Sequence, residues 1–240
     1  MERALVTGAG RGIGRAAALA LARAGHEVIC AARTAADLEA VVGEIRAAGG
    51  AARAATVDVT DSAALAGLDV DGVTTLVNSA GANLPELFAD VSEEHLDGLI
   101  AVNLKATFLV SQRVVRAMTA SGSAGAIVNL SSQMGHVGSP GRTAYCATKH
   151  AVEGLTKAMA VELAPDRIRV NAVAPTFVET PMTAGYLADP SFSDWVMERI
   201  PLARLASVDD VAAAICFLAS GAARMITGTS LRVDGGWTAQ

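Results

Sequence analysis

The sequence predicts a single α/β domain in which a doubly wound, parallel sheet of seven strands carries helices on both faces. Short apolar segments alternate along the chain with longer segments of helical periodicity, as a parallel sheet requires. A glycine-rich turn joins the first apolar segment to the first helical one. The 240 residues, 52% of them apolar, suffice for one core. No repeat or linker divides residues 1–240 into further domains.

Seven apolar segments are predicted to be strands, at 4–7, 27–32, 53–58, 75–78, 126–131, 167–174 and 230–233. Long helices are predicted over 92–118 and 143–163, and Ser92 and Ser207 each offer an N-cap hydroxyl to the helix that follows. Residues 175–201 are the least regular, with a short amphipathic segment near 192–199. A long excursion inside a compact domain is usually functional, so this segment is predicted to be a mobile substrate lid.

The pair Tyr145 and Lys149 gives the first indication of chemistry. The chain has only two tyrosines and three lysines, so chance is a poor explanation for their spacing. On a helix, residues four apart lie on the same face, which brings the phenol and the ammonium together. A neighbouring positive charge favours the phenolate, so the pair is suited to proton exchange in carbonyl and alcohol chemistry. By itself, the spacing would also fit a surface lysine beside a half-buried tyrosine.

Ser132 is predicted to join this pair. It follows an apolar strand, and its position at the carboxyl end of that strand faces the crevice in which open parallel sheets bind ligands. The strand end and the start of the helix that carries Tyr145 are expected to point to the same place. Ser132 and Tyr145 could therefore contact the same carbonyl group.

The glycine turn over 7–14 is predicted to approach a phosphate group. Strand, glycine turn and helix follow in the order that a dinucleotide site requires, because glycines let the backbone come close and the helix N-terminus favours negative charge. The strict G-x-G-x-x-G spacing is absent, since Ile13 occupies the sixth position counted from Gly8. A tight strand-to-helix connection without a ligand would fit the same residues.

Together these features resemble the short-chain dehydrogenase/reductase family. The features that carry the resemblance follow in the family's order: the glycine turn over 7–14, Asp58, the segment 78–81, Asn103, Ser132, Tyr145, Lys149 and the segment 175–182. The resemblance extends from about Ala4 to Trp237 and implies a Rossmann-type fold. Segments 131–133, 145–149 and 171–178 look most like the carbonyl reductase and L-xylulose reductase branch. Ser79 and Thr176 depart from the usual Asn and Gly of the family.

The resemblance implies a role for each matching residue. Tyr145 would give a proton to the carbonyl oxygen, Ser132 would hydrogen-bond that oxygen, and Lys149 would hold the nicotinamide ribose and lower the pKa of Tyr145. Asn103 would hold a water that links Lys149 to solvent. The residues expected to bind the cofactor are Gly8, Arg11, Gly12, Ile13, Gly14, Arg33, Thr34, Asp58, Val59, Asn78, Ala80, Gly81, Tyr145, Lys149, Pro175, Val178 and Thr180.

Charge at the end of the second strand favours NADP(H) over NAD(H). Enzymes that prefer the unphosphorylated dinucleotide usually place an acid there for the ribose 2′-hydroxyl, and this chain has Arg33 instead. Arg11 lies inside the glycine turn, so two guanidinium groups could flank a 2′-phosphate. Both could instead be solvated charges at helix edges.

Composition and charge exclude several partner classes. A formal net charge of −5 without any basic run argues against nucleic acid, and the apolar run 16–22 is far shorter than the ~20 residues of a membrane span. Three scattered cysteines and four scattered histidines lack metal-ligand spacing, so no metal site is expected. The first strand begins close to Met1, which leaves no room for a signal peptide, and the expected location is the cytoplasm.

The predicted function is an NADP(H)-dependent oxidoreductase acting on a small ketone, dicarbonyl or ketose-like substrate, with Tyr145 as acid/base. The alternatives are a 3-oxoacyl carrier-protein reductase and a sugar or sugar-acid dehydrogenase. A carrier protein should need a basic patch at the pocket mouth, for which Arg142 and Arg199 are the obvious residues. The family also implies a homotetramer. In a single chain Trp237, near the chain end, is expected to be exposed, and in the tetramer a neighbouring subunit is expected to bury it.

Overall fold

A computed structural model describes residues 2–240 and contains one seven-stranded sheet in the order β3-β2-β1-β4-β5-β6-β7. Every pair of neighbouring strands is parallel, which confirms the predicted fold class. The order reverses between β1 and β4, so the crevice of a doubly wound sheet opens there. The strands are β1 (Arg3–Thr7), β2 (Glu27–Ala32), β3 (Ala51–Thr56), β4 (Val73–Asn78), β5 (Gly125–Leu130), β6 (Ile168–Pro175) and β7 (Ser230–Val233).

The third strand begins and ends two residues earlier than predicted. Its pairing with β2 ends at Thr56, and Asp58 turns back to accept hydrogen bonds from the amide and hydroxyl of Thr60, at 2.9 and 2.7 Å. An Asx-type turn of this kind competes with the strand ladder. Asp58 therefore lies beyond the carboxyl end of β3, above the crevice.

Nine α-helices connect the strands within residues 2–240. They are α1 (Gly12–Arg23), α2 (Ala35–Ala47), α3 (Ser62–Ala66), α4 (Glu93–Leu99), α5 (Ala106–Ser121), α6 (Thr143–Glu162), α7 (Ala184–Leu187), α8 (Pro190–Met197) and α9 (Val208–Ala219). Both predicted N-caps are confirmed: Ser92 Oγ accepts from the amide of His95 at 3.1 Å, and Ser207 Oγ accepts from the amide of Asp210 at 3.0 Å. The Asp210 carboxylate in turn accepts from the Ser207 amide, which completes a capping box.

The core has one apolar layer on each face of the sheet. One layer joins α1, α2 and α9 to the sheet through residues such as Leu21, Leu38 and Ile215. The other layer packs α5 against the sheet through Val110 and Val114. Helices on both faces explain why the central strands are apolar along their length rather than alternating.

The predicted helix over 92–118 is interrupted. Between α4 and α5 the chain forms a π-helical turn, Ile100–Lys105, and the helix continues to Ser121. The stretch Glu93–Ser121 is long and apolar enough to cross a membrane, by length and composition alone. Its apolar residues Ala106, Val110, Val114 and Met118 are buried in the layer against the sheet, so core packing accounts for them.

The predicted lid segment, 175–201, contains α7 and α8 and packs on a third apolar cluster. Phe177, Val196 and Ile200 are buried there, and Trp195 of α8 meets Trp237 edge-on with ring centroids 5.6 Å apart. The expectation that Trp237 is exposed was wrong. The large apolar side chains of the lid, such as Trp195, pack against Trp237 at the end of the same chain, which partly buries both.

Candidate active site

A cavity of about 820 Å³ lies at the carboxyl ends of the central strands. It extends from the glycine turn to the lid. The sequence-predicted residues that line it are Gly8, Arg11, Gly12, Ile13, Gly14, Arg33, Thr34, Asp58, Val59, Ala80, Gly81, Ser132, Tyr145, Lys149, Pro175, Val178 and Thr180. The structure therefore brings together all predicted site residues except Asn78 and Asn103.

The glycine turn is shaped so that no side chain fits at its closest point. A Cβ on Gly14 would lie 2.2 Å from the carbonyl oxygen of Gly8, where α1 begins against the end of β1. Gly8 and Gly12 have φ values of 67° and 56°, which favour glycine. The turn leaves the N-terminus of α1 facing the cavity, as a phosphate site requires, so the residues present fit a dinucleotide.

The end of the cavity next to β2 is basic. Arg11 and Arg33 both line it and are exposed, and neither forms an ion pair within residues 2–240. Asp58 lies nearby, and the hydrogen bonds from Thr60 lower the pKa of its carboxyl group, with a smaller contribution from Arg33. Two unpaired guanidinium groups at this end could hold an additional phosphate.

Ser132, Tyr145 and Lys149 meet at the other end of the cavity. Ser132 caps a short 3-10 turn after β5, where its Oγ accepts from the amide of Met134 at 3.1 Å. Tyr145 lies in the first turn of α6, and Lys149 follows one turn later with its Nζ 5.6 Å from the centre of the Tyr145 ring. Lys149 Nζ donates to the carbonyl of Leu130 at 2.7 Å, which fixes the ammonium beside the end of β5.

Burial controls the pKa values of this group. It raises the pKa of Tyr145 to about 12, against the lowering effect of the Ser132 hydroxyl. It lowers the pKa of Lys149 to about 8, against the raising effect of Glu153. The expected lowering of the Tyr145 pKa by Lys149 is thus not found, because desolvation of the phenol outweighs the charges around it. Tyr145 holds its proton at neutral pH, which suits a proton donor.

The pKa of Lys149 leads to a prediction about pH. As the pH rises through about 8, Lys149 loses its charge, so kcat/KM for carbonyl reduction should fall above that pH. Removing the carboxylate of Glu153 should lower the Lys149 pKa further. In Glu153→Gln the fall should therefore begin at lower pH, measured as the pH profile of kcat/KM.

Glu162→Gln is the matched control, because Glu162 is an exposed carboxylate at the end of the same helix. Its profile should follow that of the wild type. Superimposable profiles for Glu153→Gln and the wild type would contradict the assignment of the basic limb to Lys149.

Asn103 and Asn78 do not line the cavity. Asn103 lies in the π-helical turn, where its side chain bonds the amide and carbonyl of Ala82 at 2.9 and 3.0 Å and the hydroxyl of Thr148 at 3.1 Å. Asn78 Nδ2 donates to Ser111 Oγ at 2.8 Å and to Asn129 Oδ1 at 2.9 Å, below the sheet end. Both amides brace elements that carry the cavity wall. A role for Asn103 in holding water stays a prediction.

Several lining residues were missed by the sequence reasoning. Leu84, Met134, Phe177 and Met182 give the substrate end an apolar wall, and Gln133 follows Ser132 into it. Apolar residues in loops have no periodicity that marks them as a pocket wall. The position of Gln133 and Met134 directly after Ser132 offered one signal, and the predicted lid over 175–201 already contained Phe177 and Met182.

A family model described as Enoyl-(Acyl carrier protein) reductase matches residues 8–238, and it is a model of short-chain dehydrogenase/reductase proteins. The chain belongs to the short-chain dehydrogenase/reductase family. This confirms the resemblance, and membership in this family makes the chain an oxidoreductase, as expected.

The relatives fall in the branch that the sequence indicated. Bovine (Bos taurus) L-xylulose reductase is 44% identical over 99% of this chain and 97% of its own length. The pig (Sus scrofa) protein named carbonyl reductase [NADPH] 2 is 42% identical over 99% of this chain and 96% of its own length. Among solved structures, a gluconate 5-dehydrogenase from Burkholderia cenocepacia in complex with NADP and tartrate superposes with a TM-score of 0.94. It is 35% identical and covers 100% of this chain and 96% of that one.

Proposed function

We propose that this short-chain dehydrogenase/reductase interconverts a small carbonyl compound and its alcohol with NADP(H). The observation that carries the proposal is the meeting of Ser132, Tyr145 and Lys149 in one cavity that starts at the glycine turn. A sugar-like or sugar-acid substrate is in keeping with relatives named L-xylulose reductase and gluconate 5-dehydrogenase.

Each side chain has a distinct task in this reaction. The glycine turn, Arg11 and Arg33 would hold NADPH, which when bound would supply a hydride for the carbonyl carbon. Ser132 donates a hydrogen bond to the carbonyl oxygen, and Tyr145 transfers its proton to that oxygen as negative charge develops. Lys149 provides a fixed positive charge beside the phenol, which stabilises the tyrosinate that remains until solvent returns a proton. The products are the alcohol and NADP⁺.

NADP(H) is supported by the basic end of the cavity. Arg11 and Arg33 are unpaired and exposed there, and a solved relative is described with bound NADP. A 2′-phosphate would satisfy both guanidinium groups, whereas an unphosphorylated ribose would leave them without a partner.

Arg33→Asp should shift the cofactor preference towards NADH by about 10- to 100-fold, measured as the ratio of kcat/KM for NADPH and NADH. The new carboxylate would repel a 2′-phosphate and accept a hydrogen bond from a free 2′-hydroxyl. Arg224→Asp is the matched control, because Arg224 is exposed and does not line the cavity. A wild type that already prefers NADH would refute this interpretation of Arg11 and Arg33.

The proposed activity is tested by NADPH consumption with diketones, ketoses, sugar acids and 3-oxoacyl thioesters. Reduction of free carbonyl compounds supports the proposal, exclusive reduction of 3-oxoacyl thioesters favours the carrier-protein alternative, and no consumption overturns both. The structure offers little for a carrier protein. Arg142 is buried, and the Arg199 guanidinium stacks on Trp195 at 4.2 Å, so neither forms an exposed basic patch.

We also propose that the protein forms a homotetramer. Leu96, Ile100 and Phe108 lie along α4, the π-helical turn and α5, and each exposes more than a third of its surface. Apolar side chains in a row on long helices are typical of subunit contacts. Light scattering should give about four times the 24.3 kDa of one chain, and Phe108→Asp should lower that mass. A wild-type monomer would refute the assembly.

The remaining expectations are part of the same proposal. We propose that the enzyme is cytoplasmic and binds neither nucleic acid nor membrane. The net charge of −5 disfavours nucleic acid, and the burial of the inner face of α5 in the core disfavours a membrane span. Fractionation of cells that express the full chain would test the location.

A further inference from the structure

Thr183 is the centre of a hydrogen-bonded turn near the start of the lid. Its Oγ1 accepts from the amide of Thr180 at 3.1 Å and donates to the carbonyl of Val178. The same atom lies 3.2 Å from Thr180 Oγ1, a hydrogen bond that either hydroxyl can donate. A hydroxyl has one proton and two lone pairs, so these three contacts match its hydrogen-bonding capacity. One side chain therefore holds the turn over 178–183 together.

The backbone of this turn is tied to the rest of the fold at both ends. Val178 is buried and forms an isolated parallel bridge with Ala206, beyond the far end of the lid segment. At the other end, the amides of Thr183 and Ala184 both donate to the carbonyl of Thr180 at 3.0 Å, where α7 begins. Within residues 2–240 the hydroxyl of Thr180 has no hydrogen-bond partner other than Thr183. The position of the Thr180 side chain thus depends on Thr183.

The turn places Thr180 against the glycine turn, although the two segments are far apart in the sequence. A Cβ on Gly12 would lie 3.5 Å from Thr180 Cγ2 and 3.6 Å from Thr180 Cβ. Gly12 begins α1, whose N-terminus is the expected position of a phosphate. Thr180 and Thr183 both line the cavity there. The lid therefore brings a hydroxyl group to the place where the phosphates of a dinucleotide are expected.

We propose that Thr183 is a positioning residue for the cofactor, which holds Thr180 beside the phosphates of NADP(H). The start of the lid thereby forms one wall of the cofactor site. The family resemblance implies cofactor binding by Thr180 and gives no role to Thr183, which acts through Thr180 and needs no contact with the cofactor. The inference rests on the proposed use of NADP(H), and it concerns binding of the cofactor rather than the chemical step.

Thr183→Val tests this role, because it keeps the branched shape of the side chain and removes only the hydroxyl. The Kd for NADPH, measured by fluorescence titration, should rise by about 10-fold, since the amide of Thr180 and the carbonyl of Val178 lose their partner and the turn loosens. At saturating NADPH, kcat should stay within about twofold of the wild type, because the side chains proposed to carry the reaction are untouched. Thr183→Ser retains the hydroxyl and should bind NADPH much like the wild type.

Adenosine 2′-phosphate is the second probe, because it carries the phosphate expected at Arg11 and Arg33 but lacks the pyrophosphate expected beside Thr180. Measured as a competitor of NADPH, it should bind Thr183→Val and the wild type equally well. A variant whose whole cofactor site had collapsed would lose affinity for both molecules. The two probes therefore separate the positioning of Thr180 from general damage to the site.

Ser191→Ala is the matched control, because it removes another hydroxyl from the lid. Ser191 Oγ donates to the Asp189 carboxylate at 2.8 Å at the start of α8, and Ser191 does not line the cavity. The Kd of this variant for NADPH should equal that of the wild type. If Thr183→Val does not fold, Thr183→Ala removes the same hydroxyl with a smaller side chain and is judged by the same comparisons.

The outcomes separate this inference from the proposed function. An unchanged Kd for NADPH in Thr183→Val, an equal weakening of NADPH and adenosine 2′-phosphate, or a Thr183→Ser variant that binds no better than Thr183→Val overturns the inference. If any of these accompanies NADPH consumption that depends on Tyr145, the proposed function is left intact. The expected shifts in Kd without NADPH consumption by any carbonyl overturn the proposed function alone. A wild type that does not bind NADPH overturns both.

Discussion

Tyr145→Phe should lower NADPH-dependent turnover by at least about 100-fold, the usual loss when an acid/base group is removed. The substitution keeps the ring that packs in the cavity wall and removes only the hydroxyl. That hydroxyl keeps its proton at neutral pH, since burial raises its pKa to about 12. Affinity for NADPH should survive, because the glycine turn and Lys149 are untouched. Steady-state kinetics and fluorescence titration of NADPH measure the two effects separately.

Tyr186→Phe is the matched control, because Tyr186 is the only other tyrosine of the chain and does not line the cavity. Losing that phenol should change turnover far less than losing Tyr145. Near-normal turnover of Tyr145→Phe would remove Tyr145 as the proton donor and with it the proposed mechanism. Equal losses in the two variants would point to a general effect of removing a phenol near the lid.

The site residues that could be predicted are those fixed by short-range geometry. Tyr145 and Lys149 are one helical turn apart wherever their helix lies, and Ser132 follows a strand whose end faces the crevice in any doubly wound sheet. The glycine turn is equally local, since strand, turn and helix are contiguous in sequence. These residues met in the structure as predicted.

Residues whose environment depends on distant partners could not be placed in this way. Asn78 turns away from the cavity because Asn129 lies beside it in the register of β4 and β5 and offers an acceptor. Trp237 packs against Trp195, more than forty residues earlier in the sequence, so the burial of Trp237 could not be predicted from its sequence neighbours. The hydrophobic pattern over 92–118 predicts an unbroken helix, but the π-helical turn inserts at Asn103. Such turns are frequent at functional sites.

The sign of the Tyr145 pKa shift shows the same limit. Spacing places a cation near the phenol, and the structure keeps Lys149 close. Spacing does not reveal how deeply the phenol is desolvated, and here burial is the larger effect. Tyr145 as the proton donor in reduction stays a prediction, while the pKa of its phenol is raised rather than lowered.

Gly14→Ala should abolish most NADPH binding, with a loss of affinity of more than about 100-fold, because the new methyl group cannot be accommodated. Its Cβ would lie 2.2 Å from the carbonyl oxygen of Gly8 and 2.7 Å from the carbonyl carbon. Both atoms are backbone, so only a shift of the turn relieves the clash. That shift moves the N-terminus of α1 away from the phosphate position. The free energy of unfolding should also fall, by about 1–3 kcal/mol for overpacking.

Gly43→Ala is the matched control, since Gly43 lies inside α2 and a Cβ there would have no neighbour within 4 Å. It should leave NADPH affinity unchanged and raise stability by up to about 1 kcal/mol, because alanine favours the helix more than glycine. Fluorescence titration of NADPH and thermal melting compare the two variants. A Gly14→Ala protein that binds NADPH like the wild type would mean that the turn does not approach the cofactor. In that case the glycines would serve only the tight passage from β1 to α1, and the dinucleotide site would have to lie elsewhere in the cavity.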